Sequence, residues 1–264
     1  MTEQNPQTEF QLMDEDQLSV ELIEAQYALK DSRGQSNAKS LVILVSGIEL
    51  AGKGEAVKQL REWVDPRYLH VKADAAHLFD FKTSFWQPYA RFIPAEGQIM
   101  ILFGNWYSDL LSSATHVSKP FDDSLFDEYV QRFRAFEQDL KNNQVDVVKI
   151  WFDLSWKTLQ KRLNEMDPSE VRWHKMNGLD WRNKKQYDTL QKLRQRFTDD
   201  WIIIDGEDEQ LRDQQFAQHV LQAFKDCPEH PKTVEQSWQQ APIPEALLNP
   251  DNAVLDEGDY KAEL

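Results

Sequence analysis

Leu41-Val42-Ile43-Leu44-Val45-Ser46-Gly47-Ile48-Glu49-Leu50-Ala51-Gly52-Lys53-Gly54 is the stretch that decides the fold. Residues 41–46 are a short apolar run rich in β-branched side chains, the pattern of a strand buried on both faces. Glycines at 47, 52 and 54 follow around Lys53. A helical pattern then covers 52–63, with Val57, Leu60 and Val64 on one face, and Asp65-Pro66 stops it. Strand, glycine loop with lysine, and helix together match the P-loop pattern, except that Gly54 stands where Ser or Thr is usual.

The spacing has a physical purpose. Glycines let the backbone wrap an anion, the N–H groups of the loop and helix start point inward, and the helix dipole adds positive potential. Gly47, Gly52, Lys53 and Gly54 are therefore the expected phosphate-binding set, with Lys53 reaching the outer phosphates. A glycine loop after a strand can also be a plain turn, but here spacing, lysine and strand-to-helix context agree. Gly54 offers a metal ion no hydroxyl, so carboxylates would have to do more. Glu49 is the first candidate, for metal binding and for catalysis beside Lys53. The plainer alternative for Glu49 is a solvated loop acid.

Outward from this loop, strands and helices alternate. Leu18, Leu22, Ala25 and Leu29 give helical spacing over 16–29, with Asp14 and Asp16 available as caps. Further strands are expected at 68–73, 99–103, 145–152 and 201–204, and helices at 124–140, 156–166 and 211–224. Residues 79–92 are irregular and aromatic; they could stack a nucleotide base, but aromatic runs are more often packing. The pattern predicts an α/β domain with a five-stranded parallel sheet.

Composition narrows the class. The 264 residues carry nine Trp and fourteen Phe, too many large aromatics for a disordered chain. The longest aliphatic run, 41–45, is far too short to span a bilayer, and residues 1–10 lack the features of a secretory signal. Cys227 is the single cysteine, which fits a reducing cytoplasm. The net charge is −15, but seven acids and one base lie in 1–30 and nine acids and two bases in 226–264, leaving −2 for 31–225. No basic surplus points to nucleic acid. From 226 onward five prolines interrupt the chain, and 226–264 reads as an acidic linker or the start of an absent second domain, after a domain spanning 1–225.

The motifs resemble the polyphosphate kinase 2 family, whose P-loop has the form Gly-x-Asp-x-x-Gly-Lys-Gly. Glu49 takes the Asp position. Glu24-Ala25-Gln26-Tyr27, Glu62-Trp63-Val64-Asp65-Pro66-Arg67, Phe103-Gly104-Asn105-Trp106-Tyr107, Asp167-Pro168 with Trp173-His174-Lys175, and Asp200-Trp201-Ile202-Ile203 also look like the family. The resemblance runs from Gln17 to Phe224 as an ordered series. It implies a P-loop kinase-like three-layer sandwich with a helical lid. It also implies phosphoryl transfer between inorganic polyphosphate and a nucleoside phosphate such as AMP or ADP, with Mg2+. The lid would lie at about 156–197, where Arg162, Arg172 and Lys175 fall nearest the family's basic residues; a solvated charged face is the alternative.

Besides Glu49 and a longer spacing from Asp167-Pro168 to Trp173, the chain departs from the family after the third strand. Active members carry an Asp-Arg pair after the third strand; here Phe103 and Gly104 stand there, and Asp109 takes a later Arg position. This variant resembles the N-terminal half of two-domain polyphosphate:AMP phosphotransferases. Two readings follow: a polyphosphate-dependent phosphotransferase domain, or a catalytically reduced phosphate-binding domain that supports a downstream catalytic one. A nucleoside monophosphate kinase using ATP alone is disfavoured by Gly54 and the Trp-Tyr motif. Homo-oligomer or second-domain contacts are expected.

Overall fold

The computed structural model describes residues 12–35, 38–73, 84–115, 121–167 and 179–226. β1 (Ser40–Gly47) lies at the centre of a five-stranded sheet, flanked by β3 (Ile99–Leu102) and β4 (Val145–Asp153). β2 (Leu69–Lys72) and β5 (Ile202–Asp205) form the edges, in the order β2-β3-β1-β4-β5, and every pairing is parallel. Leu41 through Val45 are fully buried, as a strand covered on both faces must be.

Seven helices cover the sheet among the described residues: α1 (Glu15–Asp31), α2 (Lys53–Trp63), α3 (Trp106–Thr115), α4 (Asp123–Asn142), α5 (Trp156–Glu165), α6 (Lys184–Arg194) and α7 (Glu209–Lys225). Adjacent residues of β4 show the layering. Phe152 packs on Phe216 of α7, while Trp151 packs on Phe197 and Trp201, which also contact Tyr107 of α3. Successive strand side chains point to opposite faces, so α7 and α3 lie on opposite sides of the sheet. The result is a three-layer α/β sandwich.

The family-like motifs meet in space. Gln26 exchanges two hydrogen bonds with the Asp65 backbone, at 3.0 and 2.7 Å, and Tyr27 donates to the Asp65 carboxylate at 2.9 Å. Arg67 also grips that carboxylate and holds it well below the usual range. This knot ties α1 to the end of α2.

Two helices escaped the sequence reading. α3 buries Trp106, Tyr107, Asp109, Leu110, Leu111, Ser112 and Ser113, which are too nearly contiguous to show a helical period. α6 lies inside the polar stretch assigned to the lid; its buried side is narrow, Leu190 and Leu193. Together α5 and α6 form the described ends of that lid region. In the aromatic stretch the packing alternative holds where it is described: Phe85 packs on Phe133 at 4.7 Å and Tyr89 on Trp106 at 5.5 Å. Phe79 and Phe81 lie outside the described residues.

Candidate functional site

The loop leaves the central strand at Gly47 and is shaped by contacts only glycine tolerates. Gly47 has φ +140°, and a Cβ there would fall 2.2 Å from the Phe152 carbonyl oxygen. The chain turns back through Leu50 at φ +59° and Gly52 at φ +86°, and α2 begins at Lys53. This places Lys53 at the C-terminal edge of the sheet, where α/β folds bind ligands. Gly54 differs: nothing lies within 4 Å of the Cβ it lacks, so crowding does not impose glycine at the position usually occupied by Ser or Thr.

Lys53 folds over its own loop. Its Nζ donates to the Ile48 carbonyl at 2.6 Å and to the Gly47 carbonyl at 3.3 Å. Glu49 Oε2 stands 3.9 Å away. Burial pushes the Lys53 ammonium below the ordinary lysine range, against the opposing pull of Glu49 and Glu55. The loop thus brings Lys53 and Glu49 together.

Arg162 reaches the same loop by an unexpected use of its guanidinium. Nη1 donates to the Leu50 carbonyl at 2.7 Å, and Nη2 to the Gly206 and Glu207 carbonyls at 2.9 and 3.2 Å. In this arrangement it laces the glycine loop to the turn between β5 and α7. Arg172 and Lys175, expected beside it, lie outside the described residues, as do Asp74 and Asp80.

A cation that the sequence reading missed touches the loop from α7. Arg212 is only 2% exposed, and its Nη1 would stand 1.8 Å from a Cβ on Gly52. Its place on an amphipathic helix far along the chain carried no local signal of that contact.

The other flank is polar, and among the described residues no acid-arginine pair follows β3. Phe103 packs partly buried against the core, and Gly104 is buried. Asn105 is fully buried: Oδ1 accepts from the N–H groups of Tyr107 and Ser108, both at 3.1 Å, and Nδ2 donates to Ser46 Oγ at 3.0 Å. Asn105 therefore caps α3 and ties it to the residue before the loop. Asp109 accepts a short hydrogen bond from the Tyr89 hydroxyl.

Among the described residues no group of three or more His, Cys, Asp or Glu could hold a metal ion, and no helix is long and apolar enough to cross a membrane. Glu49 is the one carboxylate between positions 47 and 54. Mg2+ keeps several waters and takes one or two carboxylates together with substrate phosphates, so a single loop carboxylate fits that manner of binding.

Comparison with known proteins identifies the family and the fold. The family model described as Polyphosphate kinase 2 matches residues 7–232. A polyphosphate:AMP phosphotransferase from Acinetobacter johnsonii is 71% identical over 96% of this chain and 53% of its own length. A solved structure from Pseudomonas aeruginosa is 29% identical with a TM-score of 0.62, covering 82% of this chain and 46% of that one. A polyphosphate kinase 2 structure from Arthrobacter aurescens, 19% identical, shares the fold at a TM-score of 0.68 over 83% of this chain and 80% of that one. The chain spans about half the length of the polyphosphate:AMP phosphotransferases it matches.

Proposed function

The chain belongs to the polyphosphate kinase 2 family, and from that premise we propose that it is a phosphotransferase domain moving phosphoryl groups between inorganic polyphosphate and AMP or ADP. The observation that carries this reading is the loop: a glycine-shaped turn at the end of the central strand, with Lys53 opening α2. Phosphoryl transfer requires mainly positioning and neutralisation of phosphate charge. The loop N–H groups and the start of α2 supply the first; Lys53 supplies the second by exchanging the Ile48 carbonyl for a phosphate oxygen.

Mg2+ bound with the substrate would neutralise further phosphate charge, and Glu49 is the residue we assign to hold it. Arg162 keeps the loop and the β5–α7 turn together as phosphate enters. Arg172 and Lys175 remain part of the proposed phosphate set by their place in the lid sequence. A cytoplasmic location and assembly with a second domain or a second copy belong to the same proposal.

A second reading, a phosphate-binding domain of reduced catalysis, is favoured by Phe103 and Gly104, where the family resemblance places Asp and Arg. One experiment separates the two. The purified chain is incubated with magnesium, polyphosphate and AMP or ADP, and nucleotide products are followed. Steady formation of ADP or ATP supports the transferase domain; polyphosphate binding without product supports the second reading.

A further inference from the structure

Arg212 sits in the first turns of α7, 2% exposed, with its guanidinium pressed against the N-terminal glycine of α2. A Cβ on Gly52 would lie 1.8 Å from Nη1, 2.1 Å from Cζ and 2.6 Å from Nε. The φ of +86° is what calls for glycine at Gly52, and any side chain there would push the Arg212 guanidinium aside. Arg212 has one hydrogen bond among the described residues, from Nε to Asp213 Oδ1 at 2.7 Å. That bond engages the Nε edge of the guanidinium. Among the described residues the Nη1 and Nη2 groups make no hydrogen bond.

Asp213 is itself 20% exposed and engages one edge alone, and the Nη atoms are not shut off from both partner and solvent, so the Nη edge stays open to a ligand. The unspent edge lies against the backbone that carries the anion-binding N–H groups. Arginine presents paired donors in a fixed fork that matches phosphate oxygens.

We infer that Arg212 is a second phosphate-contacting cation of the loop: its Nη groups take an oxygen of a bound polyphosphate chain, beside the phosphate held by Lys53. The inference rests on the polyphosphate reading above. It adds a residue from the far end of the domain to the phosphate track. It also gives the buried guanidinium the anion that its Nη edge lacks.

Calorimetric titration of the full chain with tripolyphosphate and with long-chain polyphosphate tests it, alongside the thermal midpoint of each protein. Arg212→Met keeps the stem and removes the charge; it should bind at least about tenfold more weakly, as loss of a charge-assisted hydrogen bond predicts. Arg212→Lys, a charge without the fork, should fall between Met and wild type. Asp213→Asn, which alters only the Nε edge, should bind close to wild type. Unchanged affinity in a folded Arg212→Met or Arg212→Lys protein overturns the inference. If neither variant folds, side-chain NMR of the wild type decides. The Arg212 Nη signals should move when tripolyphosphate is added; signals that stay in place while the Gly52 amide moves overturn the role. A wild-type chain that binds neither ligand refutes the polyphosphate reading itself, a result distinct from failure at Arg212.

Discussion

The Lys53 ammonium lies 2.6 Å from the carbonyl oxygen of Ile48, five residues earlier in its own loop. A phosphate bound at Lys53, as proposed, would have to compete with that carbonyl for the charge. Since a carbonyl is neutral and a phosphate oxygen is not, the exchange favours phosphate. Lys53→Ala should therefore weaken polyphosphate binding by at least about tenfold. Because the side chain serves the loop and not the core, the thermal midpoint should change little. Calorimetry and thermal melts on the same preparations check both halves; equal affinity at unchanged stability sinks the role of Lys53.

Burial of Lys53 makes a pH prediction. Its pKa is lowered in the folded chain, so between that lowered value and the unfolded lysine value near about 10.4 the unfolded chain binds more protons. Across that alkaline window the contribution of Lys53 to stability rises with pH, while its charge, and with it phosphate affinity, falls. Polyphosphate affinity should decline at a lower pH than an ordinary lysine would give. Lys53→Arg, charged throughout, should remove that decline. A wild-type profile that overlays the Arg variant's argues against it.

Asn105 couples two elements through one side chain, capping α3 and holding Ser46 Oγ. Loss of an N-cap costs about 1 kcal/mol, and a buried hydrogen bond about as much again. Asn105→Ala should lower unfolding stability by about 2 kcal/mol in urea titrations. In a double-mutant cycle with Ser46→Ala the coupling should be about 0.5–1.5 kcal/mol. Strict additivity would show that the Asn105–Ser46 contact contributes nothing.

Lys149 is 7% exposed on β4, where it donates to Glu137 at 2.7 Å and to Asp200, while Trp106 Nε1 donates to the other Glu137 oxygen at 3.0 Å. Removing one charge of a buried pair strands its partner. Lys149→Met should cost about 3–5 kcal/mol. Adding Glu137→Gln, which keeps an acceptor for Trp106, should recover part of that loss. A double variant less stable than Lys149→Met alone would contradict this account.

What the sequence disclosed follows the range of the forces involved. The β1–loop–α2 unit was legible because its signals are local: an apolar run, glycines at fixed spacing, one lysine. All five strands were found by the same kind of signal. α3 was not, because Trp106 through Ser113 are buried almost without interruption and leave no amphipathic period. The use of Arg162 on the Leu50, Gly206 and Glu207 carbonyls, and the approach of Arg212 to Gly52, join segments far apart in the chain. No local spacing encodes such contacts; they appear once the sheet brings the strand ends together.

Phe103 and Gly104 directly follow β3, the neighbour of β1 in the sheet, and the partly buried Phe103 packs against the core instead of presenting a charge. Asp109, in a position where the resemblance places arginine, is engaged by the Tyr89 hydroxyl. A phosphoryl-transfer site that lacks a well-placed electrostatic group typically loses about 10²–10³ in rate, and two losses need not multiply. This chain should accordingly phosphorylate AMP or ADP from polyphosphate far more slowly than a family member carrying the Asp-Arg pair. Phe103→Asp with Gly104→Arg restores the pair. The rate should rise by at least about tenfold, well short of the full 10²–10³, because Gly104 is buried and an arginine there must displace its surroundings. Phe103→Asp alone tests the carboxylate without that strain. Parallel thermal melts distinguish a site that is chemically incomplete from a variant that has merely lost its fold. Fast turnover by the unaltered chain, matching a family member with the pair intact, would show instead that Glu49 and the loop suffice and that the pair is dispensable in this architecture.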